Sequence, residues 1–71
     1  MRKQVTVKRN KIVVNVLSNG KYEITFTDSF KTYPIMIATS ISEVGMIAHE
    51  MADNNEIGRE LEAKIRKALT K

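Results

Sequence analysis

The sequence predicts an α+β fold in which a four-stranded antiparallel β-meander packs against a C-terminal helix. Four short segments are rich in Val, Ile, Thr, Tyr and Phe, and turn-forming residues separate them. A single antiparallel register places the apolar residues of all four segments on one face. After Ser40 the apolar residues recur at the three-and-four spacing of a helix, which continues almost to the end of the chain.

The whole chain is expected to form one domain, because 71 residues is a typical length for a single small domain. A domain of this size buries only about 60% of its unfolded surface. The sequence has no cysteine, so close packing or oligomerisation must stabilise the core without disulfides. The predicted strands are residues 4–8, 11–17, 21–27 and 32–38, and the predicted helix spans residues 41–70.

The hairpin around Ser18-Asn19-Gly20 admits two registers. A two-residue Asn-Gly turn pairs Leu17 with Tyr22 and sets apolar residues of one strand opposite Thr and Glu of the next. A three-residue loop with Gly20 in the left-handed region pairs Leu17 with Lys21 instead. Because a one-residue slip moves every side chain to the other face, the apolar pattern favours the second register. It pairs Ile12 with Phe26, Val14 with Ile24 and Val16 with Tyr22.

The same reasoning sets the other two hairpins. A two-residue loop at Arg9-Asn10 pairs Val7 with Ile12, and a four-residue loop over residues 28–31 pairs Phe26 with Tyr33. Pro34 cannot donate a hydrogen bond to a neighbouring strand, which suits an edge position for the last strand. The predicted core face comprises Val5, Val7, Ile12, Val14, Val16, Tyr22, Ile24, Phe26, Tyr33, Ile35 and Ile37.

The opposite face of the predicted sheet is mostly polar, with Lys8 and Lys11 opposed across the first hairpin. Val13, Leu17 and Met36 are the apolar residues on this face. Isolated exposed apolar residues are normal on protein surfaces. The three residues also fit a contact face for a partner or a second subunit.

Ser40 and Glu43 have the spacing of a capping box, which predicts that the helix begins near Ile41. Its apolar stripe is interrupted at Asp53-Asn54-Asn55-Glu56, where Asp53 is a candidate second N-cap, and resumes at Ile57. Two favourable pairs four residues apart, Glu60–Lys64 and Glu62–Arg66, are expected on the exposed side.

An unbroken helix over residues 41–69 would be about 43 Å long, whereas a strand of six or seven residues spans only about 20–23 Å. Either the helix breaks near Asp53 and folds back over the sheet, or its second half packs against another chain. Gly45 and Gly58 are positions where a neighbouring backbone is expected to approach. With so small a core, a homodimer is favoured over a monomer with two helices on its sheet. The predicted partner or dimer contacts are Val13, Leu17, Met36, Ile57, Leu61, Ile65 and Leu69.

Positive charge is concentrated in the β half of the chain. Residues 1–35 carry seven Lys and Arg against two acids, a net of +5, whereas residues 36–71 carry five against six, a net of −1. Such a patch favours nucleic-acid binding through phosphate contacts, although lysines also protect edge strands from aggregation. The predicted nucleic-acid contacts are Lys8, Arg9, Lys11, Lys21, Lys31 and Phe30, the last being an aromatic residue expected at a loop tip.

The sequence carries no pattern typical of catalysis or metal binding. His49 and Glu50 resemble half of a zinc-protease helix motif, but Asp53 replaces the second histidine. Residues 53–64 begin like a calcium loop, yet Lys64 stands where a glutamate is required. A non-enzymatic protein with no metal, cofactor or small-molecule substrate is therefore expected. The chain also lacks a membrane-length apolar run and the apolar segment of a signal peptide, so we expect a cytoplasmic protein without a membrane partner.

A protein-interaction module is the competing hypothesis. Small β-plus-helix proteins without cysteine often act as inhibitors, antitoxins or accessory factors of phages and mobile elements, by covering the surface of a partner. The two hypotheses differ in their salt dependence. Nucleic-acid binding weakens steeply as salt rises, whereas a protein interface depends on a few apolar anchors.

Overall fold

The computed structural model describes residues 1–70, which form a four-stranded antiparallel sheet with two helices on one of its faces. The strand order β1-β2-β3-β4 is that of a meander, so the predicted α+β fold is confirmed. Helix α2 packs mainly on β1, and α1 packs on β3 and β4. The elements are β1 (Arg2–Val7), β2 (Asn10–Val16), β3 (Tyr22–Thr27), β4 (Met36–Ala38), α1 (Ile41–Met51) and α2 (Asn55–Thr70).

The central hairpin has the predicted register, with Val14 opposite Ile24 and Val16 opposite Tyr22. Its loop is closed by the amide of Leu17, which donates to the carbonyl oxygen of Lys21 at 2.9 Å. Gly20 has a φ of +85°, a left-handed conformation that glycine adopts without a steric penalty. The preference for apolar residues on one face therefore selected the correct loop length.

The first hairpin differs from the prediction by two residues. Val7 pairs with Asn10 and Val5 with Ile12, so the loop consists of Lys8 and Arg9 rather than Arg9 and Asn10. Because the shift is even, Val5 and Val7 still face the core. In the observed turn Lys8 has a φ of +56°, a conformation that few residues other than glycine adopt.

The last strand is shorter than predicted, and part of its register is wrong. Near the loop the predicted pairing holds, because the amide of Tyr33 donates to the carbonyl oxygen of Phe26 at 2.9 Å. Further along, Ile24 pairs with Met36 instead of Ile35. One extra residue therefore lies in this strand beside Pro34, as in a β-bulge, where proline is tolerated because no ladder hydrogen bond is needed.

This extra residue exchanges the two faces of β4. Ile35 and Ile37, predicted to be in the core, are 61% and 50% exposed. Met36, predicted on the outer face, packs against the core, and Ala38 is fully buried. A shift of one residue in a strand has this effect on every side chain after it.

The core lies between the sheet and the two helices. Its buried apolar side chains come from all the strands and from both helices, which explains how a domain without disulfides is held together. The buried members are Val7, Ile12, Val14, Ile24, Phe26, Ala38, Val44, Ala48, Ile57, Leu61 and Ile65.

Helix α1 begins as predicted after Ser40, whose side-chain oxygen accepts a hydrogen bond from the amide of Glu43 at 3.1 Å. The carboxylate of Glu43 reaches back to Thr39 rather than to Ser40, and it accepts from the Thr39 amide at 2.8 Å. These hydrogen bonds hold the pKa of Glu43 below its ordinary value, with the bond from the Thr39 amide contributing most. The two hydrogen bonds resemble a capping box, except that the Glu43 carboxylate accepts from the amide of Thr39, one residue before the N-cap Ser40.

The predicted break near Asp53 is present, since α1 ends at Met51 and α2 begins at Asn55. Asn54 caps the second helix, because its side-chain oxygen accepts from the amide of Ile57 at 2.9 Å. The prediction that Asp53 is this cap was wrong. The chain folds back at the break, and the two antiparallel helices cover the sheet within one chain.

The two helices approach closely where the sequence has glycine. A Cβ atom on Gly58 would lie 2.7 Å from the backbone oxygen of His49, and a Cβ on Gly45 would contact the side chain of Arg66. The predicted close approach of a neighbouring backbone is thus confirmed at Gly58. At Gly45 the neighbour is a side chain. Within residues 1–70, neither helix is both long enough and apolar enough to cross a membrane.

Candidate nucleic-acid interface

Most of the predicted nucleic-acid contacts lie at one end of the sheet. In a meander the first and third connections leave the same end, so the Lys8–Arg9 turn and the β3–β4 loop are neighbours. Their centres are two strand spacings apart, about 10 Å. We refer to this group as the basic end, and it consists of Lys8, Arg9, Lys11, Phe30 and Lys31.

Lys21 does not belong to this group. It follows the β2–β3 loop, which leaves the opposite end of the sheet. The length of β2, seven residues or about 23 Å, separates it from the basic end. Arg2 lies nearer to Lys21, because it pairs with Asn15 toward the far end of β2. The predicted set of contacts is therefore divided between two ends.

The turn at the basic end is attached to the helices by Asn10. The side-chain amide of Asn10 is completely buried and donates to Oδ2 of Asp53 at 3.2 Å. The backbone amide of Asp53 donates in return to Oδ1 of Asn10, also at 3.2 Å. Sequence reasoning placed Asn10 in the turn and missed this role, because an asparagine beside a turn is typical of loops and gives no sign of a distant partner.

Asp28 organises the β3–β4 loop. Its Oδ1 accepts hydrogen bonds from the amides of Phe30 at 2.7 Å and Lys31 at 3.0 Å, and its Oδ2 accepts from the hydroxyl of Tyr33 at 3.0 Å. The hydrogen bond from the Phe30 amide contributes most to holding the pKa of Asp28 below its ordinary value, followed by that from Lys31. The lowered pKa favours the ionised carboxylate, which braces the loop through these three hydrogen bonds.

Tyr33 connects this loop to the core. Its ring meets that of Phe26 edge to face, with centroids 5.9 Å apart, and Phe26 is fully buried. The ammonium group of Lys31 lies 4.5 Å from the centroid of the Tyr33 ring, at cation–π distance. The hydrogen bond from the Tyr33 hydroxyl group to the carboxylate of Asp28 is the main reason why the pKa of Tyr33 is raised. Sequence reasoning did not predict that Asp28 and Tyr33 act together here.

Phe30 is 90% exposed at the tip of the same loop. Its predicted position at a loop tip is confirmed. The ring makes no contribution to the core of the described chain, because the loop directs the polypeptide back through Tyr33 instead.

The outer face of the sheet carries a shallow depression of about 250 Å³. Lys11 borders it near the basic end, and Arg2 borders it near the opposite end, where the single carboxylate of Glu23 lies in the same row of paired residues. Val13 lies in it, as predicted for the outer face. The remaining lining residues are polar and uncharged: Asn15, Thr25 and Thr27.

The ion pairs of residues 1–70 all lie in the helices. His49 pairs with Glu62 at 3.1 Å, and the two predicted pairs, Glu60–Lys64 and Glu62–Arg66, are present at 3.3 and 2.7 Å. In the described part of the chain, none of the seven Lys and Arg of the β half is paired with a carboxylate. The positive charge of the β half therefore remains available to an external anion.

Several predicted partner contacts lie inside the molecule. Leu61 and Ile65 are fully buried and Ile57 is 8% exposed, while Met36 and Leu69 pack against the core. These side chains are used by the chain itself, because the helix folds back. The apolar residues that the structure exposes instead include Phe30, Ile35, Ile37 and Met46.

The side chain of His49, on α1, contacts α2. Its Nε2 is 2.6 Å from Oδ1 of Asn55, and its Nδ1 is 3.1 Å from Oε1 of Glu62. Both partners are acceptors, and the hydrogen bond with Asn55, followed by that with Glu62, raises the pKa of His49. No group of three potential metal ligands occurs in residues 1–70.

Comparison of the chain with models of protein families, with curated protein sequences and with solved structures gave no match.

Proposed function

We propose that this chain is a non-catalytic protein that binds nucleic acid through the basic end and the adjoining outer face of its sheet. The observation that supports this most directly is the convergence of Lys8, Arg9, Lys11 and Lys31 at one end of the sheet, without ion-pair partners in residues 1–70. Unpaired positive side chains close together attract the phosphate backbone and release its counterions.

Two carboxylates also lie at this end, and both have other partners. Asp28 accepts hydrogen bonds from its own loop, and Asp53 is bonded to Asn10. Four positive charges therefore face two negative ones that are already hydrogen-bonded. The balance remains positive, which favours an anionic partner over a cationic one.

The outer face can extend the contact beyond the basic end. Lys11 and Arg2 border the depression on this face, with the Thr27 hydroxyl group beside Lys11 and the Thr25 hydroxyl group between the two ends. Threonine hydroxyls and arginine are common phosphate ligands that carry no sequence preference. We therefore propose binding that depends little on base sequence.

The proposal is tested by fluorescence anisotropy of labelled single-stranded and duplex oligonucleotides at about 50 and 200 mM salt. The affinity should fall steeply as salt rises. The double variant Lys8→Glu with Lys11→Glu should bind more weakly and should reduce the slope of log K against log salt by about 1.4–1.8, the value for two lost phosphate contacts.

The matched control reverses two exposed charges farther along α2, Lys64→Glu with Lys67→Glu, and so changes the net charge by the same amount. It should retain most of the affinity and the original slope. If the two double variants lose affinity equally, only the total charge matters and the basic end is not the binding surface. Absence of any binding at low salt would refute the proposed function.

A second candidate function rests on β4. Ile37 on β4 and Ile35 just before it are exposed at the sheet edge, and among the described residues no strand pairs with the outer side of β4. Exposed edge strands bind partners by adding a further strand, so a protein partner or a second copy of the chain is the alternative.

Sedimentation equilibrium over a range of protein concentrations tests for the second copy. The variant Ile37→Lys should abolish self-association if β4 is the contact, and it should leave nucleic-acid affinity unchanged or slightly higher. Because apolar contacts carry such an interface, self-association should persist at high salt. A chain that remains monomeric throughout would leave the nucleic-acid proposal as the favoured one.

A further inference from the structure

We infer that the nucleic acid bound at the basic end is single-stranded, and that an unpaired base stacks on the ring of Phe30. This inference rests on the proposed function, since it assigns the class of nucleic acid that the same surface binds. An exposed aromatic ring and a cluster of positive side chains occur together at one end of the sheet. Single-strand binding combines these two elements, because every base has an aromatic face and every nucleotide a phosphate.

The exposure of Phe30 is large for an aromatic residue. At 90% exposure the ring buries almost none of its apolar surface, so it contributes little to the stability of the domain. The other three aromatic residues, Tyr22, Phe26 and Tyr33, are buried in the core or packed against it. Of the four aromatic residues, only Phe30 has a ring that is open to solvent and to a ligand.

The loop that carries Phe30 is braced by hydrogen bonds to Asp28. The backbone amide of Phe30 donates to Oδ1 of Asp28 at 2.7 Å, and the backbone amide of Lys31 donates to the same oxygen at 3.0 Å. Tyr33 closes the loop by its hydroxyl group and by its contact with Phe26 in the core. A ring on an ordered loop loses little conformational entropy on binding, which favours its use as a stacking surface.

A continuous row of side chains leads from this loop to the first hairpin. The row begins at Thr32, which lies two residues after Phe30 and pairs with Thr27. Thr27 in turn pairs with Lys11. Lys11 also pairs with Thr6, which lies beside the Lys8–Arg9 turn. The row crosses four strands, a distance of about 14 Å. A base on Phe30 would therefore have its flanking phosphates close to Lys31 and to this row.

A duplex does not fit this arrangement as well. Its bases are stacked on one another, so their faces are not accessible to a side chain, and only the backbone and the groove edges are exposed. Stacking on Phe30 requires a base that has left its partner. The affinity gained from the ring is therefore available to single strands and to unpaired loops or ends.

The test compares three labelled probes by anisotropy at low salt. They are a mixed-sequence single strand, the duplex of the same sequence, and an abasic single strand with the same number of phosphates. Phe30→Ala should weaken binding of the first probe by about 5- to 150-fold, the contribution of one stacked base. It should leave the abasic strand and the duplex unchanged. Phe30→Trp should restore binding of the single strand.

Met46→Ala is the matched control, because Met46 is an exposed apolar residue on α1, away from the basic end. It should not affect any probe. Circular dichroism should show that all variants are folded, as expected for exposed positions.

The outcomes separate the two proposals. Equal affinity for the single strand and the abasic strand, with no effect of Phe30→Ala, would overturn the single-strand inference while leaving phosphate binding intact. Tighter binding of the duplex would overturn it as well. If none of the probes binds, the proposed function fails and the inference fails with it, and the exposed ring then belongs with Ile35 and Ile37 in a protein interface.

Discussion

Asn10 and Asp53 are 43 residues apart in sequence and exchange two hydrogen bonds. One joins side chain to side chain, and the other joins the backbone amide of Asp53 to the side-chain oxygen of Asn10. The contact ties the first turn of the sheet to the point where the helices reverse direction. It therefore fixes the position of the basic end relative to the helical layer.

Replacing Asn10 should cost more stability than replacing its partner. Asn10→Ala removes both hydrogen bonds of a buried amide and should lower the free energy of unfolding by about 1–3 kcal/mol. Asp53→Ala should cost less, because its backbone amide still donates to Asn10. Chemical denaturation of both single variants and the double variant measures the coupling, expected at about 0.5–3 kcal/mol. Asn15→Ala, an exposed asparagine in the same strand, is the control, and equal losses at residues 10 and 15 would contradict the prediction.

The two helical glycines should respond differently to alanine. A Cβ on Gly58 would lie 2.6 Å from Cδ2 and 2.7 Å from the backbone oxygen of His49. The better helix propensity of alanine, about 1 kcal/mol, should be outweighed by overpacking, which costs about 1–3 kcal/mol. At Gly45 the neighbour is the flexible end of Arg66, which can move away.

Thermal unfolding should accordingly show a lower Tm for Gly58→Ala and a nearly unchanged Tm for Gly45→Ala. A stabilised Gly58→Ala variant would mean that the helices can separate at this point without cost. The comparison is direct because both residues lie inside helices and both receive the same added methyl group.

The contact between the helices should weaken as His49 loses its proton. Protonated His49 donates from both ring nitrogens, to Asn55 and to Glu62, whereas the neutral ring can donate from only one. Hydrogen bonding to Asn55 and then to Glu62 raises its pKa in the folded state, and the nearby charge of Arg59 opposes this. The stabilisation should therefore be complete below the unfolded-state pKa of about 6.5 and be lost as pH rises through the higher folded-state value.

The measurement is the Tm from pH 5 to 9 for the wild type and His49→Gln, with the His49 ring followed by NMR titration. The wild type should lose more stability over the upper part of this range than the variant. A folded-state pKa at or below the ordinary histidine value would contradict the proposed arrangement of hydrogen bonds.

Asp28→Ala should change the affinity for the abasic strand and the affinity for the base-containing strand in opposite directions. Loss of a negative charge should strengthen binding of the abasic strand, because the positive surface is then less opposed. Loss of the loop's hydrogen bonds should weaken binding of the base-containing strand, because Phe30 is no longer held in place. The ratio of the two affinities, together with NMR order parameters for residues 28–31, is the measurement. If the ratio of the two affinities is the same in Asp28→Ala as in the wild type, order in the loop is unimportant for binding.

The parts of the fold that follow from local pattern were predictable from sequence. Gly20 and the alternating apolar residues around it admit only one hairpin that buries Val14 and Ile24 together. The apolar pattern determines which face a residue occupies, but a register shift of two residues leaves every side chain on the same face. The pattern therefore could not place the turn at Lys8 and Arg9 rather than at Arg9 and Asn10. That turn depends on Asn10 and its distant partner, and such a contact has no local signal.

The errors at β4 and at the second helix have similar causes. Pro34 was recognised as incompatible with a central strand, but the extra residue beside it is settled by packing of Met36 and Ala38 in the core. Asp53 and Asn54 are both good N-caps by residue type, and only the bond of Asp53 to Asn10 leaves the role to Asn54. In the candidate site the basic residues were predictable, whereas the supporting role of Asp28 depends on the three-dimensional loop.

The path of the chain determines which parts of the molecule can be attached to something else. Met1 accepts a hydrogen bond from the amide of Val16, so the chain begins at the end of the sheet opposite the basic end. Helix α2 starts beside Asn10 and runs back, so Thr70 lies at that opposite end as well. A fluorophore, affinity tag or surface tether attached beside Met1 or Thr70 would therefore be distant from Lys8, Arg9 and Phe30 and would leave them accessible to a large ligand.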